Sequence, residues 1–103
     1  MNELVRLYAE TRQLTERMLA AAEVEQWQTL LELEAQRAAM LGQLAVTPDA
    51  SLDDAGREEI AAHIGAILET DKRISKLSAA WMREMESIIS SAHNERRLSN
   101  AYR

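Results

Sequence analysis

The sequence contains no cysteine and no phenylalanine, a single proline and three glycines. Without cysteine there is no disulfide framework, no thiolate metal site and no thiol nucleophile. With so little Gly and Pro, few positions can hold a turn that needs unusual backbone angles. Aromatic residues make up only 4% of the chain, and much of its 47% apolar share is Ala and Leu, which favour helix. Long apolar runs are missing too: the uncharged stretches fall far short of the roughly 18 residues that a membrane span needs. Met1-Asn2-Glu3-Leu4 lacks the basic start and apolar centre of a signal peptide. An excess of positive charge is also absent. The formal charge is −5 and the pI near 5.0, so a phosphate backbone or an anionic membrane surface would be repelled. The expectation is an all-α chain of 103 residues, one domain by length, in a reducing cytoplasm, with no nucleic-acid partner and no membrane insertion.

Signatures of catalysis are also missing. His63 and His93 are the only histidines. Glu59 and His63 stand four apart and share a helical face, but no second Glu/His set accompanies them, as a helical di-metal site would need. There is no HExxH, no GxSxG elbow and no Gly-rich phosphate loop. No metal, no cofactor and no enzymatic activity are therefore expected.

What is present is helical periodicity. The spacing predicts a first helix over 2–22, with Leu4, Leu7, Thr11, Leu14, Met18 and Ala21 at alternating steps of three and four. A break between Ala22 and Glu25 is expected from length alone, because an unbroken helix to Val46 would be about 67 Å long. The second helix is expected over 25–46 with two adjacent apolar rows. One is Trp27, Leu31, Ala38, Leu41 and Ala45, interrupted by Glu34; the other is Leu30, Leu33, Met40 and Leu44, interrupted by Arg37. Thr47-Pro48-Asp49-Ala50-Ser51 marks a loop, and Ser51 or Asp53 is placed to cap the next helix. This third helix is expected over 52–93, on a heptad-like repeat of Ile60, Ile64, Ile67, Ile74, Trp81, Met85 and Ile88 with polar breaks at Asp71 and Ser78. The architecture predicted is an antiparallel bundle of three main helices, residues 1–95, followed by a short basic tail or helix, 96–103.

Two resemblances bear on function. Leu30-Leu31-Glu32-Leu33-Glu34-Ala35-Gln36-Arg37 resembles part of the first helix of small all-α chorismate mutases. Their dicarboxylate substrate needs several converging cations, and after Arg37 the next cation is Arg57 and the next lysine Lys72. The broader likeness spans most of the chain. Ala21 to Glu34, with Trp27 opening a Leu/Glu-rich helix, the Thr47-Pro48 loop, and Leu98-Ser99-Asn100-Ala101-Tyr102 resemble the FliT family, flagellar export chaperones that escort the filament-cap protein. The final pentapeptide is similar to that family's Leu-Asn-Asn-Ala-Tyr tail.

The resemblance implies a helical bundle that masks the C-terminal region of the filament-cap protein before secretion. It also implies contact with the cytoplasmic domain of the export gate protein, through Leu98, Asn100 and Tyr102, and with the export ATPase complex. Enteric members add the flagellar master regulator as a partner. A chaperone for an amphipathic helix needs an apolar groove between its own helices. Trp27, Leu30, Leu33, Arg37, Met40 and Leu44 on the second helix are candidates to line it, with Ile67, Ile74, Trp81 and Met82 on the third. The same stripes have a plainer reading as core. A monomer or weak homodimer is expected. The alternative function is a coiled-coil scaffold that dimerises through its third helix, with chorismate mutase third.

Overall fold

The structure, a computed structural model, describes residues 2–49 and 51–101. It consists of three helices, α1 (Glu3–Glu23), α2 (Trp27–Val46) and α3 (Asp54–Ala101), with no strand among the described residues. The all-α bundle expected from composition and periodicity is what forms.

Asn2 starts α1. Its Oδ1 accepts from the backbone N–H groups of Leu4 at 2.8 Å and Val5 at 3.4 Å, satisfying donors that a helix start leaves open. Its Nδ2 donates to Ser51 Oγ at 3.0 Å, which ties the start of α1 to the loop before α3. On the outer surface Arg6 bridges Glu3 and Glu10, and the hydrogen bond from Arg6 holds the Glu3 carboxyl below its ordinary range.

The turn after α1 is a Schellman motif. Glu25 N–H donates to the Ala22 carbonyl at 3.1 Å and Gln26 N–H to the Ala21 carbonyl at 2.9 Å. Such a turn needs a left-handed residue, usually Gly. Here Glu25 takes that position at φ 59°. The break therefore falls within a residue or two of the expected place, by a device that the residue type does not announce.

α1 is the central helix. Val5, Leu7, Thr11, Leu14, Thr15, Met18, Ala21 and Ala22 are buried along it, a wider face than either neighbour shows. The cause is that α1 packs against both α2 and α3, while the α2 and α3 backbones do not meet. Its two buried hydroxyls are satisfied within the helix: Thr11 donates to the Leu7 carbonyl and Thr15 to the Thr11 carbonyl, both at 2.8 Å. α2 runs antiparallel to α1. α3 returns parallel to it, as the Asn2–Ser51 and Arg12–His63 contacts require. Leu14, Met18 and Ala21 then meet Leu30 and Leu33 from one side and Ile74 from the other in one core cluster.

α3 is capped by Asp53, whose Oδ1 accepts from Gly56 N–H at 2.7 Å. It does not end at His93 as expected but runs to Ala101. Residues 93–101 contain no Gly or Pro, and a change in the sign of the charge is not a stop signal. The basic segment is thus the last turns of α3 through Ala101. At 48 residues α3 is about 72 Å long, which sets the 74 Å long axis of the molecule. α1 and α2, at about 30 Å each, cover little more than its first half. The radius of gyration is accordingly 20.3 Å, against about 13 Å for a compact chain of this size.

Candidate helix-binding groove

Because α2 and α3 flank α1 without touching each other through the backbone, a groove of about 520 Å³ opens between them. Met18 of α1, Leu30 and Ile74 form its floor. Glu34 and Arg37 stand on the α2 side; Asp71, Ser75, Ser78, Ala79 and Met82 stand on the α3 side. The floor is dry and packed, with Leu30 and Ile74 each 8% exposed, whereas Met82 is 55% exposed.

Two contacts bridge the groove. Arg37 donates from one guanidinium nitrogen to Asp71 Oδ1 at 2.7 Å and to Thr15 Oγ1 at 3.2 Å, joining all three helices at one point. This pair is half-buried, so its hydrogen bonds are shielded from competing water better than those of a surface pair. The polar break that Asp71 makes in the α3 repeat is thereby explained: it faces the arginine that interrupts the α2 row. At the other end the Trp27 and Trp81 rings lie 5.1 Å apart at 45°, a tilted aromatic contact that closes the gap beside the α1–α2 turn. Trp27 Nε1 is buried there without a hydrogen-bond partner.

Four of the ten residues expected to line a groove do so: Leu30, Arg37, Ile74 and Met82. Leu33, 4% exposed, lies instead in the core seam with α1, beside Ala21 and Arg17. Trp27 and Met40 pack on the edge of the core, and Leu44, Ile67 and Trp81 are half-buried. Leu98 and Asn100 are exposed on the last turns of α3, and Tyr102 lies outside the described residues.

Sequence reasoning missed Met18, Glu34, Asp71, Ser75, Ser78 and Ala79 as lining residues. One signal for the α2 side was available. Leu31, Ala38 and Leu41 stand at −3, +4 and +7 from Glu34 and so share its face. Sharing the face of groove-lining Glu34 puts that row along the rim, and Leu31 and Leu41 are 58% and 48% exposed. The small α3 residues carry no such signal, because Ser and Ala suit a solvated face equally well.

The groove offers little for small-molecule chemistry. Its one lining cation, Arg37, is already paired with Asp71, which leaves a dicarboxylate no converging positive charge. No group of three or more His, Cys, Asp or Glu that could hold a metal ion occurs among the described residues. His63 sits away from the groove in the α1–α3 seam, where Nδ1 accepts from Arg12 at 3.3 Å and Nε2 lies 3.8 Å from Glu59. No described helix is long and apolar enough to cross a membrane. What the groove can do is receive another helix, with apolar side chains over its floor.

One family model, described as Flagellar protein FliT, matches residues 5–103. No curated protein and no solved structure gives a significant match.

Proposed function

The chain belongs to the FliT family of flagellar export chaperones, and from that membership we propose that it holds the C-terminal region of the filament-cap protein in the α2–α3 groove and hands it to the export apparatus. FliT is a family of chaperones, not of enzymes. The observation that carries the reading is the open space between α2 and α3, floored by buried apolar residues and edged by exposed Met82, with exposed Leu31 and Leu41 on the face of α2 that carries Glu34. An amphipathic client helix laid there would remove its own apolar face from water together with theirs, the usual driving force of helix-in-groove recognition.

In this reading Leu98 and Asn100 on the exposed end of α3, with Tyr102 beyond it, contact the cytoplasmic domain of the gate protein, and the export ATPase complex is the further partner. The flagellar master regulator is a third candidate partner, and the chaperone works in the cytoplasm. Separation of the groove from the end of α3 by several helical turns lets client and gate bind at once.

Titration calorimetry against the C-terminal segment of the filament-cap protein tests the proposal. Saturable binding near one to one is expected. Met82→Asp and Leu41→Asp, both at exposed positions, should weaken it about tenfold or more by placing a charge against the client's apolar face. Tyr102→Ala should leave client binding unchanged while weakening the gate contact. Absence of binding at tens of micromolar, or full binding by both aspartate variants, removes the groove reading.

A second reading has its own observation. Ile88 and Ile89 are 59% and 66% exposed on the uncovered part of α3, where a second copy could pair with them. Sedimentation that shows a stable dimer, lost in an Ile88→Ser/Ile89→Ser variant, would favour it.

A further inference from the structure

The two rims of the groove differ in charge. On an acidic chain, residues 72–83 contain Lys72, Arg73, Lys76 and Arg83 and no acidic residue. Lys72, Lys76 and Arg83 stand at steps of four and seven, so they form one line along α3. Each follows a groove-lining residue in sequence, Asp71, Ser75 and Met82, so the line runs about 100° around α3 from them. A shallow depression lined by Leu68, Glu69, Lys72, Ser75 and Lys76 adjoins the groove, and Asp71 and Ser75 line both. All three cations are exposed. Lys72 pairs with Glu69 at 3.1 Å, but Lys76 and Arg83 form no ion pair among the described residues. The α2 rim is apolar across Leu31, Ala38 and Leu41, and Glu34 is the charged residue in that row.

We infer that the segment this groove receives is an amphipathic helix with an acidic flank, whose carboxylates lie along Lys72, Lys76 and Arg83 while its apolar face covers Leu30, Ile74 and Met82. The inference rests on the groove being the client site and names the kind of client it selects. Charge complementarity is the argument. A helix seated over the floor meets Leu31, Glu34, Ala38 and Leu41 along α2 and a row of cations along α3. An acidic flank on the α3 side is attracted, and a basic flank there is repelled. The cations are solvated, so they choose between partners and speed encounter more than they add affinity. Since the cations lie on the α3 rim and the charge in the α2 row is that of Glu34, they also set direction: reversing the helix would carry its acidic flank over to Glu34 between Leu31 and Leu41.

The test uses the full chain and two synthetic amphipathic helices of about 20 residues, long enough to be helical when bound. Both carry the same Leu/Ala face; one has Glu/Gln flanks and the other Lys/Gln flanks. Fluorescence anisotropy at about 50 mM salt should show the Glu-flanked peptide binding about tenfold tighter, with the preference fading near 0.5 M as screening shortens the range of the charges. Lys76→Glu with Arg83→Glu should invert the preference, and Lys76→Gln with Arg83→Gln should bring the peptides level. Arg73→Glu, on a different face of α3, should leave it unchanged. Equal binding of the two peptides, a preference that survives the double variants, or no binding of either peptide overturns the inference. If neither peptide binds while the filament-cap segment does, the acidic flank is wrong and the client reading stands. If the Glu-flanked peptide binds and the filament-cap segment does not, the named client is wrong and the charge selection stands. A dimer that the Lys76→Glu/Arg83→Glu variant dissolves would show that a second copy occupies the groove, which also overturns the inference.

Discussion

The two halves of α3 are built from similar residues and have opposite surroundings. In the first half, Ile60 and Ile74 lie against α1 and are 8% exposed. In the second half the same helical spacing continues through Met85, Ile88 and Ala92, yet Ile88 is 59% exposed and its neighbour Ile89 is 66% exposed. The difference is not chemical. α1 and α2 reach along little more than half the length of α3, so no described helix covers the apolar stripe of the second half. Periodicity states which face of a helix is apolar; it does not state what covers that face. An uncovered stripe of this kind marks an interaction surface or a liability. The long helix is held by its own propensity, extended from a nucleus that the packed half provides.

The comparison is broken most severely by emptying the covered half. Leu7 is 1% exposed in the second turn of α1, and Leu7→Ala should cost about 2–5 kcal/mol in urea denaturation, by lost burial plus the cavity left behind. A cost below about 1 kcal/mol would mean that α1 is not the core of the bundle. Next comes the contact that ties all three helices. Arg37→Met removes the bonds to Asp71 and Thr15 and should cost about 1–3 kcal/mol. A double-mutant cycle with Asp71→Asn should show the two residues coupled; strict additivity would mean that the bridge contributes nothing.

A smaller change of opposite sign is expected at the α1–α2 turn. Glu25 occupies a left-handed conformation that favours Gly, so Glu25→Gly should raise stability by about 1 kcal/mol at most, read as a higher Tm. A drop would mean that the Glu25 side chain makes a contact that outweighs the strain. The smallest effect belongs to the uncovered half. Ile89→Ala should change monomer stability by less than about 0.5 kcal/mol. A larger loss, dependent on protein concentration, would show that the second half of α3 is covered in solution by another copy.

Much of the fold is legible in the sequence. The stripe from Leu7 to Ala21, the Thr47-Pro48 loop and the Asp53 cap each carry a local physical signature, and each element lies where that signature puts it. The end of α3 was not legible, because 93–101 changes in charge without any residue that stops a helix. The groove was half legible. Leu31 and Leu33 are both apolar residues on α2, yet Leu31 is a rim residue at 58% exposure and Leu33 is core at 4%.

The sequence by itself determined that the chain is helical, where the loop at Thr47-Pro48 falls and which faces are apolar, because these properties arise from propensity, capping and spacing between near neighbours. Only the tertiary structure decided which apolar face is core and which is groove. That division depends on α1 lying between α2 and α3 and on Arg37 meeting Asp71 across 34 positions of chain. Contacts between residues so distant leave no mark in the local pattern of either helix.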